Sequence, residues 1–181
     1  MANPLSPLEA PFPEEVSQAL ANYPKHDGYI LTLFRTFANS LRFLKKGVPN
    51  LLDRDSPLDL RTREIVILRT TANRNCEYEW GVHVTIFAQT AKLTEAQVNA
   101  TRIDVAGCWS EDERALITAI DQLCSTGNLA DYTRSTFQSK WTKEQQLEIL
   151  ALVGTYSTIS FVANVAQLPA EPFAKRFPSD R

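Results

Sequence analysis

At 181 residues, with 44% hydrophobic and 22% charged side chains, the chain has the length and composition of one globular domain. A formal net charge of −2 gives no electrostatic reason to expect nucleic acid or an anionic membrane surface as a partner. Three cysteines, an odd number, exclude a closed disulfide framework and suit a reducing compartment, so the expected location is the cytoplasm.

The first residues lack the basic and apolar regions of a secretory signal, and no uninterrupted apolar run reaches membrane-spanning length. Pro4, Pro7, Pro11 and Pro13 predict an extended arm over residues 1–13, followed by a short helix from Glu14 to Tyr23. Together these form an N-terminal unit over 1–27, ahead of a single domain over 28–181. A long amphipathic helix is expected from Asp27 to about Lys46, on the spacing of Ile30, Leu33, Phe34, Phe37, Leu41 and Leu44. Gly47 would close it. Arg42, Lys45 and Lys46 then read as last-turn cations that complement the helix dipole.

The next helix is expected over Asp59–Asn73, although Ile65, Val66, Ile67 and Leu68 alone could pass for a buried strand. A turn at Arg74-Asn75 follows, with Asn75 as the expected N-cap of a helix from Cys76 to about Ala91. Thr94-x-x-Gln97, Ser110-x-x-Glu113 and Thr142-x-x-Gln145 are capping-box starts for three further helices. Gly127 ends the middle one, and a shorter helix is expected over Asp131–Lys140. The last helix, about Thr142 to Gln167, is apolar on nearly every face and must therefore be buried in the domain or between subunits. The fold class is all-α.

The residues with chemical potential cluster between Glu64 and His83. Cys76, Glu79 and His83 stand at i, i+3 and i+7, so at roughly 100° per residue they share one arc of a helix. A helix N-terminus favours the thiolate of Cys76, whose other reading is a small buried hydrophobe. His83 has the natural pKa of a proton shuttle, and nearby carboxylates at Glu64 and Glu79 would raise it. Both glutamates could instead be solvated or ion-paired. Glu79-x-x-x-His83 is also a helical metal-ligand pair, but bundle sites repeat such a pair on a second helix, and no second pair with histidine occurs; no metal is expected. No glycine-rich phosphate loop is present, and no cofactor is expected.

Glu64, eleven residues, Cys76, two residues, Glu79, three residues, His83 resembles the signature of the carboxymuconolactone decarboxylase and alkyl hydroperoxidase D (AhpD-like) superfamily. The flanking R-T-R-E-I-V-I-L-R, C-E-Y-E-W-G-V-H and L-P-A-E-P-F-A-K-R-F-P agree with it. The resemblance implies an AhpD-like bundle of about six to eight helices, assembled as a homotrimer or homohexamer. It also implies catalytic roles for Glu64, Cys76, Glu79 and His83. Glu79 stands where the peroxidase branch has its second cysteine. The decarboxylases usually have glutamate there but lack the thiol of Cys76.

Three functions follow. One is a decarboxylase-like enzyme acting on a small carboxylated lactone or related cyclic acid, in which His83 with Glu64 or Glu79 moves the proton that replaces CO₂. Arg61, Arg63 or Arg69 would then hold substrate carboxylates, with Trp80 as a further substrate contact or a core residue. The second is a thiol peroxidase using Cys76 and an external thiol reductant, because Glu79 cannot resolve a sulfenic acid by disulfide formation. The third is a helical scaffold without catalysis.

Overall fold

The computed structural model describes residues 5–103 and 107–178. Of the arm expected over 1–13, residues 1–4 lie outside the described residues. The remainder runs beside α2 (Thr32–Phe37), where the Leu8 amide donates to the Arg35 carbonyl at 3.1 Å and Asn39 donates to the Ser6 carbonyl at 2.9 Å. Helix α1 (Glu14–Leu20) buries Val16, Ala19 and Leu20 and packs on α3 (Leu41–Lys46).

The single helix expected from Asp27 to Lys46 is instead three elements. Asp27 (φ 50°) and Gly28 (φ 81°) both adopt left-handed backbone, the pairing a two-residue hairpin turn requires. They join β1 (Lys25–His26) to β2 (Tyr29–Ile30) in antiparallel register, Lys25 opposite Ile30 and His26 opposite Tyr29. Helix α2 then stops, and Ser40 restarts the chain as N-cap of α3 by accepting the Phe43 amide at 3.2 Å. The Asp-Gly turn and the Ser40 cap outweigh the continuous apolar spacing. The described residues accordingly hold nine helices rather than six to eight, with one two-stranded ribbon.

Helix α4 (Leu60–Asn73) is the centre of the molecule, packed against α5 (Glu77–Phe87), α7 (Glu111–Thr126) and α9 (Lys143–Val165). Asp59 caps it, accepting the Thr62 amide at 2.8 Å. Ile65, Val66, Ile67 and Leu68 are all buried because helices surround α4, which is why its sequence looks like an interior strand. The three capping boxes are present, opening α6 (Glu95–Ala100), α7 and α9. Gly127 ends α7 in left-handed backbone (φ 71°), and α8 spans Asp131–Lys140. Helix α9 is long and apolar enough by composition to cross a membrane, although polar residues interrupt its apolar run. Half of that span is buried inside the fold, as in a core helix.

The C-terminal segment after α9 clamps α5. Glu171 is buried and accepts from the Thr32 amide (2.7 Å) and the Tyr78 hydroxyl (2.6 Å), tying the start of α2 to α5. The Lys175 amide donates to Thr85 Oγ1 at 2.9 Å and the Phe177 amide to Glu77 Oε1 at 2.9 Å. Any Cβ at position 81 would collide with the Lys175 carbonyl oxygen, so Gly81 permits this close crossing.

Candidate active site

The link between α4 and α5 sets the site residues in place. Asn75 does not cap α5; it sits in left-handed backbone (φ 51°) just past α4. The Asn75 amide donates to the Ala72 carbonyl at 3.0 Å and the Cys76 amide to the Thr71 carbonyl at 2.9 Å, a Schellman closure. The N-cap of α5 is therefore Cys76 itself, and α5 ends at Phe87 rather than near Ala91.

About two helical turns beyond Cys76, His83 is 3% exposed and bonded at both ring nitrogens. Its Nδ1 lies 2.8 Å from Glu64 Oε2, across from α4, and its Nε2 lies 3.1 Å from the Tyr156 hydroxyl of α9. Glu79 Oε1, one turn earlier on α5, is 3.5 Å from the same Nε2. Burial alone lowers the imidazole pKa, but the charge and hydrogen bond of Glu64, then those of Glu79, more than reverse it and raise it to about 9. At neutral pH the group is thus an imidazolium that donates from Nδ1 to Glu64 and from Nε2 to Tyr156. Burial, together with Glu79 and Glu64, pushes Tyr156 well above its ordinary value, so it stays a phenol. Arg63 stands behind Glu64, its Nε 3.8 Å from Glu64 Oε1, close enough for charge but too far for a hydrogen bond.

His83, Glu79 and Tyr156 line a cavity of about 820 Å³. Its outer wall comes from α1, the ribbon, α2 and α3, and from the loop 48–52 that follows. Lys25, Lys45 and Lys46 line it from exposed positions, whereas His83, Glu79 and Tyr156 line it from buried ones.

Cys76 has a different setting. It is fully buried and does not line the cavity. Burial pushes its thiol up to about 11 and the Glu79 charge adds to the rise, while the Glu79 amide, the Ser160 hydroxyl and the Tyr78 amide act in the opposite direction. The thiolate expected from the helix start is therefore not favoured, because the desolvation of a sealed site exceeds what a helix terminus supplies. No disulfide occurs among the described residues.

The arginines and Trp80 also lie away from the cavity lining. Arg61 Nε pairs with Glu113 at 2.7 Å. Arg69 makes a two-pronged pair with Asp121, at 2.6 and 2.8 Å. Trp80 is fully buried and its indole N–H donates to Thr101 at 2.8 Å. Arg63 is buried beside Glu64. Tyr156 was missed by the sequence reading. Its signal is the one phenol of α9, since a buried tyrosine hydroxyl requires a polar partner.

Residues 43–122 match the carboxymuconolactone decarboxylase family, a segment that contains Glu64, Cys76, Glu79 and His83. The chain thus carries a carboxymuconolactone decarboxylase family segment on an AhpD-like helical fold. No curated protein matches its sequence. Among solved structures it is similar to an uncharacterized peroxidase-related protein from Silicibacter sp. TM1040, with a TM-score of 0.78 at 14% identity, covering 98% of this chain and 95% of that one. It is also similar to an uncharacterized peroxidase-related protein from Ralstonia eutropha JMP134, described as an alkylhydroperoxidase AhpD core. There the TM-score is 0.72 at 16% identity, over 94% of this chain and 95% of that one. A cysteine-to-alanine variant of the debrominase Bmp8 in complex with 2,3,4-tribromopyrrole gives 0.72 at 16%, over 95% and 94%. These likenesses concern the fold. Relative to the superfamily segment, Tyr156 and the cavity wall from α1, the ribbon and α2 lie outside the match.

Proposed function

We propose that this chain is a proton-transfer enzyme of the carboxy-lyase type, acting on a cyclic acid whose carboxylate sits beside a conjugated carbonyl. The observation that supports it is His83, held between Glu64 and Tyr156 on the floor of a cavity that Cys76 does not line. In the step envisaged, the C–COO⁻ bond breaks and its electron pair passes into the conjugated carbonyl as CO₂ departs. The His83 imidazolium then delivers its Nε2 proton to the carbon, and water restores that proton. Glu64 keeps the ring charged and oriented throughout, and Tyr156 holds Nε2 until substrate displaces it. Glu79 adds to the field that keeps the ring protonated. The thiol-peroxidase reading needs a thiolate open to peroxide, and a sealed thiol raised to about 11 supports it less. The test is CO₂ release from a panel of carboxylated lactones and related ring acids, run beside an organic hydroperoxide with excess dithiol. Turnover only in the second assay would replace this reading with the peroxidase.

The same proposal includes a cytoplasmic homo-oligomer, most simply a trimer or hexamer. Leu147, Leu150, Phe161 and Val165 run along the outer face of α9, and Leu147, Phe161 and Val165 are 68%, 54% and 67% exposed. An apolar stripe of that kind on a core helix calls for a cover, and a second copy supplies one without a further component. Light scattering should return a multiple of the 20.4 kDa chain mass, and a value near that mass at micromolar concentration would overturn it.

A further inference from the structure

The apolar part of the cavity wall takes no part in the proton transfer described above. It begins beside the acid itself: the Phe87 ring, one turn beyond His83 on α5, has its centroid 5.1 Å from the imidazole. Phe34 of α2 continues it, with Val48, Leu51 and Leu52 of the loop after α3. None of these five is sealed in the core as Phe37 and Leu44 are. All are half-buried, so each keeps apolar surface that the fold leaves uncovered. Tyr23 lies against Phe34, ring centroids 4.7 Å apart, and its hydroxyl donates to the Leu44 carbonyl, which leaves the ring as the part it offers to the cavity. Apolar surface in a concave wall is what an apolar ligand group covers favourably.

The reaction proposed above brings the carboxylate-bearing carbon to His83, so whatever else the substrate carries extends along this wall. A volume of about 820 Å³ lies in the range of pockets that enclose drug-sized molecules, and exceeds what a compact ring acid fills. Lys25, Lys45 and Lys46 line the cavity only from exposed positions, where a solvated ammonium holds an anion weakly. We infer that the substrate is a ring acid bearing a large apolar substituent, alkyl or aryl, with its reacting end at His83 and the substituent on the wall of Phe34, Val48, Leu51, Leu52 and Phe87. This rests on the lyase reading of the site and names its substrate class. Tyr23 and Phe34 precede the matched segment 43–122, so that part of the wall comes from N-terminal elements outside it.

The experiment is calorimetric binding of three neutral probes, γ-valerolactone, γ-octalactone and γ-dodecalactone, which keep a lactone carbonyl for the His83 end and differ only in alkyl length. Each methylene buried on the wall should tighten binding by up to about fourfold. Leu51→Glu puts a charge on that wall and should weaken γ-dodecalactone about tenfold or more and γ-valerolactone little. The wild-type series requires no variant, so misfolding of Leu51→Glu leaves the result readable. In a second assay, kcat/KM for CO₂ release from carboxylated γ-lactones should rise with the same chain lengths. Lys45→Gln with Lys46→Gln should leave that rise unchanged. Equal affinity across the series, no saturable binding of any probe, a long-chain probe that a folded Leu51→Glu variant binds undiminished, or loss of the rise in the lysine variant would overturn the inference. Length-dependent binding with no CO₂ release from any ring acid would uphold the apolar ligand class and remove the lyase reading. CO₂ release that is no faster for substituted lactones than for compact ones would keep the lyase reading and overturn the substituent.

Discussion

Cys76 caps the start of α5 and His83 lies seven residues on, near that helix's middle, yet their surroundings push their chemistry in opposite directions. The thiol is fully buried with a carboxylate near enough to oppose its ionisation, so it is held as a thiol. The imidazole is as deeply buried, but two carboxylates face it and it is held as a cation. Burial is common to both; the difference is whether a counter-charge was buried alongside. Sharing an arc of one helix therefore does not make two groups one site. The packing helices decide, and here α4 and α9 close on His83 with Glu64 and Tyr156.

The largest effect that can break this contrast is on turnover. His83→Ala and Glu64→Gln should each lose about 10²–10⁴-fold in CO₂ release, the usual worth of a general acid and of the group that keeps it charged. Cys76→Ser should remain within a few-fold of wild type, since a hydroxyl fills the same space. The opposite ranking, with Cys76→Ser inactive against hydroperoxide and His83→Ala merely slowed, would identify the thiol as the working group.

Next in size is the reactivity of the thiol itself. A pKa of about 11 in place of 9.0 reduces the thiolate fraction near neutrality about a hundredfold, and full burial slows access further. In the native protein a maleimide or iodoacetamide probe should label Cys76 far more slowly than Cys108, which is half-buried. Peptide mapping with time decides it. Equal or faster labelling at Cys76 would mean that its site opens readily, and would restore the thiolate that the helix start alone suggests.

The imidazolium also links stability to pH. With a folded pKa of about 9 against an ordinary 6.5, it contributes stability that is complete below about pH 6.5 and is lost as pH rises through about 9. The span corresponds to roughly 3 kcal/mol. Urea unfolding of wild type between pH 6 and 9.5 should show this decline. Glu64→Gln should shrink the decline and move it to lower pH, because the larger opposing charge is gone while that of Glu79 remains. A wild-type curve that is flat over this window would show that the ring is not held as a cation.

What the sequence made legible was local. Thr94, Ser110 and Thr142 cap helices through hydrogen bonds to amides three residues on, so their neighbours in sequence suffice to read them. The spacing from Glu64 to His83 likewise set two groups on adjoining helices that do meet. The split of 27–46 was readable in principle from Asp27-Gly28, but the apolar spacing across it was given more weight. Two features depended on distant packing: the sealing of Cys76, and the arrival of Tyr156 from 73 residues away. The same holds for Arg61 and Arg69, whose acidic partners Glu113 and Asp121 lie on α7 and engage them structurally.

The smallest effect tests Tyr156. Its hydroxyl accepts from His83 Nε2 at 3.1 Å, but it is not among the groups that raise the ring's pKa. Tyr156→Phe should therefore separate orientation from charge. Removing a hydrogen bond to a charged donor predicts about a tenfold lower kcat. The alkaline limb of the pH–rate profile, set by Glu64 and Glu79, should stay near 9. Glu64→Gln is the contrasting case, in which that limb moves to lower pH because the largest opposing charge is gone. A Tyr156→Phe limb displaced by a full unit would assign the phenol a share in holding the proton; an unchanged kcat would mean that α5 and Glu64 orient the imidazolium without help from α9.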